Sequence, residues 1–255
     1  MTSESTSPSN RRPLRAIFFD VDDTLFSTSE FAQLARHRAI DAMIRYGLRM
    51  SRTDAYRELD EVIKEFSSNY EFHYDKLLRR IDPALYAGVN PAILIAAGVI
   101  HYHQTKIKQL RVFPDVLRVL RHLSKSPVLL GIITAGLTIK QAEKILRLRI
   151  YQYLEPKAIF ISDQIGISKP NVKLYQRACE SVRVRPEEAM YVGDNAPNDV
   201  DPPNRLGMIT VHSRREGSKY AKETGTSRPD YTITTFDELQ TILERDFELM
   251  QSRST

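Results

Sequence analysis

The sequence predicts an α/β fold, a parallel sheet covered by helices on both faces and interrupted after its first strand by an all-helical block. Three observations carry this expectation. Short apolar runs ending in polar or acidic residues recur along the chain, and amphipathic helical patterns separate them. One long interval, from about Ser27 to Gln109, has helical periodicity and no convincing strand.

Taken in order, Leu14 to Phe19 is an apolar run ending in a cluster of acids, the pattern of a buried parallel strand with polar residues at its carboxyl end. Four later runs repeat it: Val128 to Ile133 ends at Thr134, Ala158 to Ile161 at Ser162-Asp163, Ala189 to Val192 at Gly193-Asp194, and Met208 to Val211 at His212-Ser213. Tyr231 to Thr234 is a weaker sixth run. Between strands, Thr138 opens a helical stretch with Ile145 and Leu146 on one face, and Thr138 with Gln141 reads as a capping box. Within the long interval, Phe31, Leu34, Met43 and Ile44 mark one helix, and Tyr56, Leu59, Ile63 and Phe66 a second. Asn90-Pro91 starts another, with proline at its first position. The apolar run Ala92 to Ile100 reads as a buried helix, far shorter than the roughly 20 residues a membrane span needs.

The composition is that of a soluble globular chain: 255 residues, 42% hydrophobic and 27% charged. A single cysteine, Cys179, excludes an intramolecular disulfide or a cysteine-pair zinc site, so a reducing, cytoplasmic home is expected. The net charge of +5 is spread over separated doublets such as Arg79-Arg80 and Arg214-Arg215, which gives no reason to expect a nucleic-acid partner. Residues 1–13 read as a loose Ser- and Thr-rich tail rather than a signal peptide.

Ligands of open parallel sheets bind at the carboxyl ends of strands, where Asp20, Thr134 and Asp194 all fall. Asp20 and Asp22 start on one side of an extended backbone, and Asp194 and Asp199 come from another strand end. Four carboxylates in one cleft repel unless a cation neutralises them, and an all-oxygen set selects a hard ion such as Mg²⁺. Asp20 then suits a nucleophile attacking a phosphoryl group, and Asp22 the proton-transfer role. Lys169 supplies positive charge for the phosphoryl oxygens, while the Thr134 hydroxyl and neighbouring backbone N–H groups, Ala135 included, supply donors. A calcium loop starting at Asp20 is excluded, because Leu25 stands in place of the required glycine and Phe31 in place of the bidentate glutamate. His101 and His103, two apart on a helix, point apart and lack a third ligand, so no metal is expected there.

The ordered set Asp20-Val-Asp-Asp-Thr24, Thr134, Lys169 and Gly193-Asp194 with Asp199 resembles the four motifs of the haloacid dehalogenase-like hydrolase superfamily. The resemblance covers nearly everything after the tail. It implies a Rossmann-like core at 14–26 and 109–248 with a helical cap at 27–108, and a magnesium-dependent phosphatase working through an aspartyl-phosphate. It further implies Asp20 as nucleophile, Asp22 as acid/base, Thr134 and Lys169 as phosphate holders, and a Mg²⁺ site of Asp20, Asp194, Asp199 and Asp22, the last through its backbone carbonyl. The chain departs from the family pattern in two places: Ala135 stands where relatives often have Asn or Asp, and Pro202-Pro203 where many have a Gly-Ala pair. A helix starting near Asp199 would absorb both prolines in its first turn.

The expected partner is a small phosphorylated metabolite, chosen by cap residues, with no membrane involvement; Arg38, His73 and Tyr74 lie in the cap, where they either meet substrate or serve packing and surface roles. A phosphomutase would share the same Asp20 chemistry, and a non-catalytic phospho-ligand-binding module would share the fold. The acidic Asp22 argues against a dehalogenase.

Overall fold

The structure, a computed structural model, describes residues 13–247 and Leu249; the expected tail lies outside these residues apart from Pro13. Six parallel strands form one sheet in the order β3-β2-β1-β4-β5-β6. They are β1 (Ala16–Phe19), β2 (Leu129–Thr134), β3 (Ile159–Ile161), β4 (Ala189–Gly193), β5 (Ile209–Ser213) and β6 (Tyr231–Ile233). Every expected run is a strand, with no end displaced by more than two residues. The helices, in chain order, are α1 (Thr28–Arg45), α2 (Arg52–Phe66), α3 (His73–Arg80), α4 (Pro91–Gln109), α5 (Pro114–Leu123), α6 (Thr138–Arg147), α7 (Ser162–Ile165), α8 (Val172–Ser181), α9 (Ala196–Asp199), α10 (Asp201–Leu206) and α11 (Phe236–Phe247).

Alternation within β1 shows why the sheet is covered twice. Ala16 and Phe18 join a cluster with Ile133, Phe160, Leu174, Tyr175 and Tyr191, so this face packs on α8. Phe19 points the other way and stacks on Phe236 of α11, ring centres 5.9 Å apart. All four residues of β1 are fully buried, so a strand without a polar face can only be central. Phe19 pairs with Ile132 of β2 on one side and Val192 of β4 on the other. The ends of β1, β2 and β4 therefore lie side by side where the strand order reverses, the crevice that open α/β sheets use for ligands.

The described residues divide into two compact units, one made of residues 13–28 and 111–247, the other Ser29–Leu110. The second unit contains helices and turns and no strand. Its own core gathers Ile40, Met43, Leu48, Leu59, Tyr74, Leu77 and Leu94 from α1 to α4. Ser51 accepts from the Asp54 N–H to cap α2, and Asn90 caps α4 with Pro91 in its first turn. Gly98 on α4 leaves room for Tyr74, whose ring carbon would lie 3.0 Å from an added Cβ. Tyr74 is thus a core residue, while Arg38 is exposed and His73 bonds the Ser67 carbonyl at 2.8 Å.

Two local expectations fail. The Ala92 to Ile100 run is buried along one face only: Leu94, Ala97 and Gly98 turn inward, while Ile93 and Ile100, seven residues apart, face solvent about half exposed. The expected capping box at Thr138 and Gln141 is absent, since α6 has Leu137 at its N-cap position with no side-chain cap. Thr138 instead donates to Asp163, and Gln141 is drawn to the ends of β1 and β2. The two prolines do fall in a helical first turn, that of α10, two residues later than expected.

Candidate active site

Asp20 follows β1 directly, and its N–H extends the ladder by donating to Val192 O at 2.9 Å. Lys169, from the loop before α8, reaches the same place: Nζ lies 2.6 Å from Asp20 Oδ1 and 2.8 Å from Asp199 Oδ1, with 4% of its side chain exposed. Asp199 ends α9, and Gly193 is what admits it. A Cβ on Gly193 would fall 2.4 Å from Asp199 Oδ2, so any other residue there would push the carboxylate away. The Asn195 N–H donates to that same oxygen at 3.0 Å.

Asp194 completes the cluster. Its Oδ2 accepts from Ser218 Oγ at 2.8 Å and its carbonyl from His212 Nε2 at 2.9 Å. Asp20, Asp194 and Asp199 each offer an oxygen within 4.8 Å of the others, and all three are buried. Among the described residues Lys169 supplies the one ammonium hydrogen-bonded to this cluster, so the three carboxylates, when all are ionised, carry a formal excess of two negative charges in a buried site. The electrostatic consequence is visible: burial first, then the neighbouring acids, push Asp20 up to about 7 despite Lys169. Burial, with Asp20 and Asp199 beside it, pushes Asp194 up to about 8. An all-oxygen set short of two positive charges fits a hard divalent cation.

Asp22 points elsewhere, and its carboxylate is not part of the converging acid set. Lys144 Nζ of α6 sits 2.6 Å from its Oδ1 and 2.7 Å from its Oδ2, Thr28 Oγ1 donates to Oδ1 at 2.8 Å, and Gln141 Nε2 to Oδ2 at 2.9 Å. Burial works to raise the acid, but the Lys144 charge and these hydrogen bonds prevail and hold it below the usual carboxylate range. Of the four carboxylates expected in one cleft three thus converge, and the resemblance gives Asp22 a metal role through its backbone carbonyl, not through this engaged carboxylate.

Thr134 closes β2 with 1% of its surface exposed, and its Oγ1 is buried without a hydrogen-bond partner among the described residues. An orphaned buried hydroxyl costs roughly 1–3 kcal/mol and calls for an explanation, such as a ligand that satisfies it. Ala135, next along, is exposed, and its carbonyl accepts from Gln141 Nε2 at 2.8 Å.

The profile of haloacid dehalogenase-like hydrolases matches residues 17–212, a span that contains every residue of this cluster except Ser218. The chain belongs to that family. A glyceraldehyde 3-phosphate phosphatase of Methanopyrus kandleri is 45% identical over 205 residues, covering 79% of this chain and 84% of that one. One of the same name from Pyrococcus furiosus is 43% identical over 237 residues, covering 92% and 95%. Among solved structures, a haloacid dehalogenase-type phosphatase from Thermococcus onnurineus superposes with a TM-score of 0.58 at 25% identity, covering 90% of this chain and 98% of that one.

For a member of this family, the residues that sequence reasoning missed are as informative as those it found. Gln141 reads as half of a capping box with Thr138, and Lys144 only as a polar position on an amphipathic helix. A faint signal was present for Lys144, which has no acid three or four residues away on α6 to pair with. Ser218 lies in an irregular segment after β5, and nothing in its neighbourhood points to Asp194. Tyr191 donates from inside the sheet to Ile133 O at 2.8 Å, and its ring lies under Lys169 Nζ, 5.2 Å from the ring centre. Its position in an apolar run hides that contact. His101, on α4, bonds Ala97 O one turn back at 3.0 Å, as a helical surface histidine does.

Proposed function

We propose that this hydrolase cleaves a three-carbon sugar phosphate, glyceraldehyde 3-phosphate in the first instance, with Mg²⁺ and through a phosphorylated Asp20. That the protein is a phosphatase of a small phosphorylated metabolite follows from its family and its relatives; the particular metabolite is carried over from the relatives' names. The observation that carries the chemistry is the buried cluster of Asp20, Asp194, Asp199 and Lys169, two positive charges short of neutrality.

In the first half-reaction an Asp20 oxygen bonds to phosphorus as the ester P–O bond breaks, and Asp22, ionised at rest beside Lys144, passes to the leaving oxygen a proton that it has first taken up. In the second, water attacks the phosphorus, Asp22 takes the proton, and the Asp20 carboxylate is regenerated with release of phosphate. Lys169 holds a phosphoryl oxygen and gives up part of its hold on Asp20 as charge moves outward. The Thr134 hydroxyl, which has no protein partner among the described residues, donates to another phosphoryl oxygen. Asp20, Asp194 and Asp199 would hold Mg²⁺, which supplies positive charge beside the transferring group. The unit Ser29–Leu110 is assigned the role of the cap that chooses the leaving group.

The test is phosphate release from D-glyceraldehyde 3-phosphate, phosphoglycolate and nucleoside monophosphates, each with Mg²⁺ and with EDTA. The triose phosphate should be turned over with the highest kcat/KM, only with the metal, and Asp20→Asn should abolish turnover. Recovery of an isomeric phosphate ester in place of free phosphate would establish a mutase instead, and a preference for another class would overturn the substrate assignment.

A further inference from the structure

The acid/base carboxylate of the proposed reaction is held by a helix that carries none of the four motif residues. Both oxygens of Asp22 are occupied: Lys144 spans them at 2.6 and 2.7 Å, Thr28 takes one and Gln141 the other. Lys144 and Gln141 lie three residues apart on one face of α6, so their side chains converge. The Lys144 ammonium is 6.0 Å from the centre of the buried Phe26 ring, and with side chains 19% and 29% exposed the Lys144–Asp22 contact is partly buried.

Gln141 is fixed more firmly still. It is 3% exposed, and its Nε2 is shared between Asp22 Oδ2 and Ala135 O, which ties Asp22 to the turn after β2. That turn is shaped around it. Gly136 has φ +137°, and a Cβ there would lie 2.7 Å from Gln141 Nε2. A glycine is thus required both for the backbone and for the amide to enter. The same interaction explains the missing capping box, because a Gln141 committed to Asp22 does not turn back to the start of its own helix.

We infer that Lys144 and Gln141 are positioning residues for Asp22, setting the direction of its carboxylate toward the ester oxygen that departs from phosphorus. The inference rests on the acid/base role proposed above for Asp22. With three donors on two oxygens the carboxylate has one orientation. The ion pair keeps Asp22 ionised at rest, so to serve as acid it first takes up a proton on the oxygen that Lys144 releases, while the other oxygen stays held. Loss of Lys144 leaves only two neutral donors, one on each oxygen, and the geometry of proton transfer is lost with it. Neither residue touches the phosphoryl group in this scheme.

Two aryl esters separate this role from a structural one. p-Nitrophenolate leaves with little help from an acid, whereas the phenolate of phenyl phosphate departs poorly without a proton. Rapid-mixing measurement of phenol release in the first turnover, with the full-length protein and Mg²⁺, gives the rate of Asp20 phosphorylation by each. Lys144→Met should slow the phenyl ester by about tenfold or more and the p-nitrophenyl ester by less than about threefold. Lys144→Arg should restore most of the difference. Asp22→Asn should show the same leaving-group pattern, and adding Lys144→Met to it should change little, because the two changes remove one function. Gln141→Met reads the same contact from the other oxygen and serves if the lysine variant does not fold. If Asp22→Asn discriminates between the esters but Lys144→Met and Gln141→Met do not, or if the changes add, the positioning role is wrong. If Asp22→Asn shows no discrimination, the acid role of Asp22 falls and this inference with it.

Discussion

Metal binding at the acid cluster is predicted to depend steeply on pH, in a direction and size that follow from the charges present. Burial and mutual repulsion raise Asp20 to about 7 and Asp194 to about 8. Both acids must be ionised to hold a cation, so at low pH protons compete with it, and affinity rises as pH rises through these values. At pH 6 about one in ten Asp20 groups and one in a hundred Asp194 groups would be ionised, a joint fraction on the order of 10⁻³. At pH 8.5 most molecules would have both. The apparent Mg²⁺ dissociation constant should therefore fall on the order of 10³-fold between those values, about 4 kcal/mol at about 1.4 kcal/mol per tenfold. Titration calorimetry at a series of pH values measures this directly, and repetition in two buffers of different ionisation enthalpy counts the protons released on binding. Between one and two protons should leave near pH 7, and almost none above pH 9. A dissociation constant that varies less than about tenfold over the range, with no proton release, would refute the claim that these two acids share a cation.

Gly193→Ala places a Cβ 2.4 Å from the Asp199 carboxylate, so it should weaken Mg²⁺ binding at least tenfold and destabilise the fold by about 1–3 kcal/mol, read by calorimetry and urea denaturation. Thr134→Val removes a buried hydroxyl without a protein partner among the described residues; stability should hold or rise by up to about 1 kcal/mol, while kcat falls at least tenfold. A parallel loss of stability and activity would show that the hydroxyl is structural. Phe18→Ala empties the face of β1 packed on Tyr175 and Phe160 and should cost about 3–5 kcal/mol in urea denaturation, with the midpoint lowered and little change in slope.

The strands were legible because burial on both faces leaves no room for polar residues: Ala16 to Phe19 and Ala189 to Val192 can be read only as central strands. Their ends were less so. Thr134 and Gly193, the last residues of β2 and β4, lie beyond the apolar runs that mark those strands, one being polar and the other lacking a side chain. Helix starts set by local groups were also readable, as at Asn90-Pro91, because the cap and the helix lie a few residues apart. The box at Thr138 and Gln141 satisfied the same local rule and failed, since a carboxylate 119 residues earlier in the chain competes for the glutamine. The run Ala92 to Ile100 misled for a related reason: apolar content does not say which faces of a helix are covered, and the outward Ile93 and Ile100 stay about half exposed.

Asp20 and Asp194 could be placed together from sequence alone because each directly follows a strand, and strand ends in a parallel sheet converge whatever the rest of the chain does; Lys169 and Asp199 come from the loop before α8 and the end of α9. The residue types then restricted the chemistry, since carboxylates and one lysine at such a place fit a hard cation and a phosphoryl group. Sequence could not say how these charges are shared. Only the folded chain places Lys169 between Asp20 and Asp199, turns Asp22 away to Lys144 and Gln141, and sets Ser218 on Asp194. Those contacts join residues 24 to 149 positions apart, and over such separations local patterns carry no information about which side chains meet.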